Sequence, residues 1–240
     1  MIAEQYRKML DAKSVIRQLS EKATKRAQTI GAEDVFDYSL GNPSVPAPAE
    51  FKQALLDLIE KEDPMTLHGY SPTLGIPSVK TAIAESLNCR FDMNYGPEHI
   101  FPDSAAAAAI AHALRAVTVP GDEVLTFAPF FPEYHPYVDL TGAVLKVVPA
   151  DTKSFQINFE AFEEMLGPRV AAVLVNTPNN PSGAVYSAET LTKLAEVLTR
   201  KAEQYGHDIF LISDEPYREI VFDGKQQPYV SKFYANTISC

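Results

Sequence analysis

Cysteine is scarce in this chain. Of its 240 residues only Cys89 and Cys240 carry thiols, and their placement matches no metal-like or redox-like spacing. Long apolar runs are missing too: none approaches the roughly 20 residues that a membrane span requires. There is no basic block, since 21 Lys and Arg are outnumbered by 31 Asp and Glu and the formal net charge is −10. Nucleic acid and anionic membrane surfaces, which call for clustered positive charge, are therefore poor partners. The opening segment MIAEQYRKMLDAKSVIRQLSEKATKR is charged throughout and has no apolar core of the kind a signal peptide uses. A cytoplasmic, reduced protein is the plain expectation. No G-x-G-x-x-G follows the first strand, which argues against a dinucleotide-binding dehydrogenase. The one stretch of low complexity, SAAAAAIA, is simply a strong helix former.

What is present suffices for a sizeable core, with 46% hydrophobic residues. Ile2, Tyr6, Met9, Ile16 and Leu19 recur at intervals of about three to four residues, predicting a first helix that Gly31 can end. VFDYSL (35–40) reads as a short strand, followed by the Pro-rich loop GNPSVPAPAE. Helical periodicity returns over Phe51–Ile59 and Val79–Leu87. An Ala-rich helix (105–117), the strand EVLTFA (123–128), a helix near Glu133–Leu140 and the strand AVLKVVPA (143–150) come next. A helix (158–166), the strand VAAVLVN (170–176), a long helix (187–205) and the strand DIFLIS (208–213) complete the alternation. NTISC then reads as one more strand. This pattern predicts an α/β fold: a mostly parallel sheet with helices on both faces.

In such sheets ligands bind outside the carboxyl ends of the strands. That rule singles out APFFPEY, TPNNPSG and DEPY, which should converge on one crevice. Each has an ordinary reading as well. Asp214 either caps a turn or meets a positive group, and NTPNNPSG, with φ fixed at Pro178 and Pro181, is at least a well-defined turn. Phe130 and Phe131 are either core or a flat surface for a planar heteroaromatic ligand. Ser104 is a helix N-cap candidate, and a helix start there would also suit a phosphate.

In combination, YSPTLGIPSVKTAIAESL, PGDEVLTFAPFFPEY, NTPNNPSGAVYSAETL and SDEPYREIVFDG resemble the class I/II aminotransferases. These are fold-type-I pyridoxal-phosphate enzymes related to aspartate aminotransferase, and the likeness runs along essentially the whole chain. The resemblance implies pyridoxal 5'-phosphate as cofactor, with amino acid and 2-oxo acid substrates. It implies that Asp214 pairs with the pyridine nitrogen and keeps it protonated, so that the ring can accept electrons. Asn180 and Tyr217 would hydrogen-bond the ring's phenolic oxygen, and Phe131 would stack on the ring face. Ser104, Ala105 and Ala106 align with the phosphate cup. Tyr70 aligns with a tyrosine that reaches the cofactor phosphate of the other subunit, implying a homodimer, and Gly41 with a glycine beside the substrate carboxylate. Residues 1–45 would be a helix and strand of the small domain. Residues 46–240 would be the large cofactor domain, incomplete at its C-terminal end, with the rest of the small domain missing.

The chain also departs from that pattern. The family usually has Gly where Ala105 stands, which Ala can replace if its φ stays negative. Asp103 would repel a phosphate unless it turned away to cap the helix. The lysine that holds the cofactor as a Schiff base is expected beyond Cys240, as are the phosphate-binding and carboxylate-gripping arginines. Lys225 and Lys232 fall in a polar connection, are expected to be exposed, and occupy neither position. No catalytic residue of the family is therefore assigned within the chain. By itself it is expected to be inactive, and without its small-domain cover prone to associate through its first helix. Two alternatives stay open: a non-catalytic cofactor-binding or partner-subunit protein, and a C–S lyase on the same fold.

Overall fold

The computed structural model describes Arg7 and residues 15–41 and 45–240. Ile2, Tyr6 and Met9, the start of the expected first helix, lie outside these. The chain divides into two compact units, Met1–Tyr70 and Ser71–Cys240.

In the first unit, α1 (Val15–Ile30) ends where expected. The Gly31 amide donates to the Ala27 carbonyl at 3.0 Å, and Gly31 adopts a φ of +102° that side chains resist. Two further helices, α2 (Ala49–Lys61) and α3 (Pro64–His68), follow. Asp63 caps α3 by accepting the Thr66 amide at 3.0 Å, a short helix that periodicity alone does not announce. The expected strand VFDYSL is not one. Among the described residues, 35–40 pair with no strand, Phe36 and Tyr38 stand exposed, and the Asp37 carboxylate instead accepts the Ser39 amide in a local turn. A β-branched and aromatic run becomes a strand only if a neighbouring strand takes its backbone groups.

The second unit is a five-stranded, wholly parallel sheet in the order β2-β1-β3-β4-β5. Its strands are β1 (Glu123–Phe127), β2 (Val144–Val148), β3 (Val170–Asn176), β4 (Phe210–Asp214) and β5 (Thr237–Ser239). Its helices are α4 (Pro77–Phe91), α5 (Ala105–Val117), α6 (Tyr134–Asp139), α7 (Phe159–Met165) and α8 (Ala188–Tyr205). Strand residues alternate between two buried clusters, as a two-residue period requires. Leu125, Val173, Val175 and Leu211 face Phe162, Leu191, Leu194 and Leu198 of α7 and α8. Val124, Ala172, Leu174 and Ile212 face Ile110, Leu114, Tyr134 and Val138 of α5 and α6. Covered on both faces, the central strands read as continuous apolar runs.

Glu123, which opens β1, is buried but not isolated. It meets Arg169 at 2.6 Å and Lys146 at 2.8 Å, tying the entrances of β1, β2 and β3 together. The functional consequence of the topology lies at the opposite edge. β2 and β3 flank β1 on opposite sides, so the connections leaving β1 and β3 diverge and open a crevice beyond their carboxyl ends.

Candidate active site

Three strand exits build this crevice, and hydrogen bonds lock them together. The loop after β1 contains cis peptides at Ala128–Pro129, and the loop after β3 contains them at Thr177–Pro178 and Asn180–Pro181. Asn179 joins the two loops by donating to the Pro129 carbonyl at 3.2 Å. Its Oδ1 also accepts the Ser182 amide and hydroxyl, at 3.0 and 2.7 Å. The β3 loop is bound to β4 through Asn176, which donates to the Asp214 carbonyl. TPNNPSG is thus a turn held to both neighbouring strands.

Asp214 ends β4 in a buried position. The Tyr134 hydroxyl donates to its Oδ2 at 2.5 Å, whereas among the described residues Oδ1 has no hydrogen-bond partner and is shut off from solvent. Burial pushes the carboxyl above the usual Asp range, and the Tyr134 hydrogen bond opposes that shift. The phenol of Tyr134 is itself raised, first by its own burial and then by the adjacent carboxylate. Sequence reasoning quoted Tyr134 within APFFPEY and gave it no role. The available signal was a third aromatic residue in that stretch, but nothing local says that it faces Asp214.

Asn180 and Tyr217 come together, with Asn180 Nδ2 donating to the Tyr217 hydroxyl at 3.4 Å. The Asn180 side chain can do so because its backbone amide is pinned by Asn176 Oδ1 at 2.6 Å. Phe131 is half-buried and stands edge-on to Tyr134, with centroids 5.8 Å apart and planes at 83°.

The start of α5 differs from expectation in three ways. Ser104 stands at the N-cap position, but its side chain makes no capping hydrogen bond. Ala105 has a φ of +69°, the left-handed region, rather than a negative value. The turn into α5 demands the backbone that Gly supplies freely, and Ala adopts it against Cβ crowding. Asp103, finally, does not cap the helix. One oxygen accepts the Ser104 amide at 2.7 Å and the other meets His112 Nδ1 at 2.5 Å. The Ser104 amide and then His112 hold this carboxyl below the usual Asp range. The Ala105 amide is taken by the Asp103 carbonyl at 3.1 Å, while the amides of Ala106 and Ala107 belong to the first turn, which has no intrahelical acceptors.

The remaining candidates are placed as follows. Gly41 and Tyr70 belong to the first unit and are exposed. Lys225 and Lys232 are exposed in the segment between β4 and β5, Lys232 lying 3.5 Å from Asp92. Among the described residues no group of His, Cys, Asp and Glu could hold a metal ion, and no helix is long and apolar enough to cross a membrane.

The exits of a parallel α/β sheet, where ligands of such folds bind, here gather a half-satisfied buried carboxylate, an Asn–Tyr pair and aromatic rings. Sequence comparison specifies the site further. The sequence model for Aminotransferase class I and II matches residues 33–238, and the chain belongs to that family. It is 32% identical over 202 residues to a probable aspartate/prephenate aminotransferase of Aquifex aeolicus, covering 83% of this chain and 49% of the relative. It is likewise 32% identical over 215 residues to a probable N-succinyldiaminopimelate aminotransferase of Mycobacterium tuberculosis, covering 88% of this chain and 50% of the relative. An amino transferase of Eubacterium rectale has the same fold over 100% of this chain and 61% of its own, with a TM-score of 0.95 and 43% identity. Aspartate aminotransferase of Thermus thermophilus, solved with maleate, superimposes over 95% of this chain and 56% of its own with a TM-score of 0.83 and 26% identity. The chain spans about half the length of the curated relatives it matches.

Proposed function

We propose that the protein is the cofactor-binding part of a pyridoxal-phosphate-dependent aminotransferase, exchanging an amino group between an amino acid and a 2-oxo acid. The observation that carries this reading is Asp214: a buried carboxylate at a strand exit with Oδ2 satisfied and Oδ1 without a partner among the described residues. A buried acceptor without a donor is costly, and the N–H of a protonated pyridine ring would relieve it. The residues present fit the cofactor. Asp214 Oδ1 would accept the ring N–H, Asn180 and Tyr217 would donate to the phenolic oxygen, and Phe131 would cover a ring face. The turn Ser104–Ala106 would receive the phosphate, with Ala106 leading the free amides.

When bound, pyridoxal phosphate supplies the electron sink that stabilises negative charge at the substrate Cα. This chain's own contribution is to orient and polarise. Asp214, as an anion in a poorly solvated position, favours a positive charge on the ring nitrogen. The Asn180–Tyr217 pair fixes the ring's tilt through a polar edge. The lysine and arginines expected beyond Cys240 would carry the proton shuttle and grip the substrate carboxylate, so the 240-residue chain alone would bind without turning over. We place the working enzyme in the cytoplasm as a homodimer, with Tyr70 reaching the neighbouring site and Gly41 beside the substrate. We take an aspartate/2-oxoglutarate-like pair as its substrates; the relatives named for aspartate support the amino acid of that pair.

Adding pyridoxal phosphate to the purified protein tests this reading. An induced circular dichroism band in the visible region, lost in Asp214→Ala, is the expected result. A folded parent protein giving no induced band would overturn it.

A further inference from the structure

The carboxylate at the centre of the site is controlled by one phenol. The ring of Tyr134 is wholly buried on the first turn of α6 and held on several sides by other rings. Phe130 stacks on it at 6.4 Å, Phe131 meets it edge-on at 5.8 Å, and Tyr137 lies tilted at 6.4 Å. A ring so confined has little freedom to swing, so its hydroxyl direction is fixed by packing. That hydroxyl reaches Asp214 Oδ2 across 80 residues of sequence.

We propose that Tyr134 is a positioning residue: its hydroxyl fixes Asp214 Oδ2, keeps the buried carboxylate ionised, and so leaves Oδ1 as a free anionic acceptor for the N–H of a heteroaromatic ring. The inference rests on the functional reading above for the identity of that ring. The surroundings explain why such a residue is needed. The groups facing Asp214 are Tyr134 and Tyr137 from α6 and Cys240 after β5, with Tyr217, from the turn after β4, beside Tyr134. All are neutral or potentially anionic, and burial itself favours the protonated acid. A protonated Asp214 could not stabilise a cationic ring nitrogen. Tyr134 supplies the opposing influence: a hydrogen-bond donor that stabilises the charged form and turns it to one orientation.

Tyr134→Phe removes the hydroxyl and keeps the packing ring. Pyridoxal phosphate is titrated into the parent and the variant from mildly acidic to mildly alkaline pH, with the induced visible dichroism as signal. The variant is expected to bind about 10- to 100-fold more weakly, as for loss of a hydrogen bond to a charged group. The acid limb of its binding profile is expected to move to higher pH, because an unsupported Asp214 takes up a proton sooner. In an Asp214→Asn background the same substitution should add almost nothing, since Tyr134 acts through the carboxylate. Equal affinity and an unmoved acid limb in a folded Tyr134→Phe protein would overturn the proposal, as would a full additional loss in the Asp214→Asn background.

A second measurement stands apart from variant and cofactor. Carbon-13 carboxyl resonances of the parent protein should show Asp214 ionised at neutral pH, and a protonated Asp214 would overturn the proposal even if the variant did not fold. If the folded parent gives no induced band, the cofactor-binding reading of this chain falls, and the carboxyl titration still decides the role of Tyr134.

Discussion

Asn176 ties the end of β3 to the end of β4 with both halves of one amide. Its Nδ2 donates to the Asp214 carbonyl at 2.9 Å, and its Oδ1 accepts the Asn180 amide at 2.6 Å. The residue is buried and touches the backbone of two proposed cofactor ligands, so it sets their separation. Asn176→Ala would leave the half-buried Asn180 amide without its acceptor and the Asp214 carbonyl with only the long 3.4 Å bond from the Thr177 amide. The expected cost is about 1–3 kcal/mol of folding stability per group left unpaired. Pyridoxal-phosphate binding should weaken with it. Urea unfolding and cofactor titration on one preparation check both, and unchanged values would show that the loop holds its shape without this clamp.

Ala105 is expected to be improvable. Its left-handed backbone costs an L-residue roughly 1–2 kcal/mol, whereas Gly pays only its extra freedom in the unfolded chain, about 0.4–1 kcal/mol. Ala105→Gly should therefore raise stability modestly, by about 0.5–1 kcal/mol on these figures. Ala105→Val should lower it, because branching at Cβ aggravates the same clash. Thermal melting of the three proteins gives the order directly, and a less stable Gly variant would contradict the strain assigned to this turn.

Glu123 links acid sensitivity to the sheet. Burial alone would raise its carboxyl, but Lys146 and Arg169 outweigh that and hold it below the usual Glu range. A carboxyl depressed in the folded state adds stability above its unfolded pKa and loses it as pH falls through the folded value. Glu123→Gln is expected to destabilise at neutral pH by about 1–3 kcal/mol, since its two cationic partners are partly solvated and recover water contacts. The gap between parent and variant should shrink in acid. Unfolding free energies across the acidic range measure this, and a constant gap would remove Glu123 from the account.

The two thiols should separate cleanly. Cys89 is exposed, whereas burial, with Asp214 and Asp103 nearby, pushes the Cys240 thiol up to about 12. At mildly alkaline pH the thiolate fraction of Cys240 is then on the order of one in ten thousand, and the thiolate is the reacting species. Iodoacetamide should modify Cys89 in the folded protein and reach Cys240 only on unfolding. Peptide mass spectrometry reads out both sites, and early labelling of Cys240 would show that its surroundings open.

Much of this architecture is written locally in the chain. VAAVLVN forms a strand over the residues its apolar run marks, and SAAAAAIA opens a helix that runs from Ala105 to Val117 as its composition dictates. Period, propensity and the turn chemistry of TPNNPSG are properties of neighbouring residues, so sequence alone determined the βαβ alternation and which loops lie at strand exits. The same local logic misplaced VFDYSL, because a strand exists only when another strand accepts its hydrogen bonds. It also left the sign of φ at Ala105 undecided, since that angle depends on how the whole turn joins the sheet to α5. Which oxygen of Asp214 is satisfied is likewise a tertiary fact. The donor, Tyr134, is brought in by α6 packing on the sheet face 80 residues away. Burial and that one hydrogen bond together set the character of the carboxylate, and neither exists until the chain has folded.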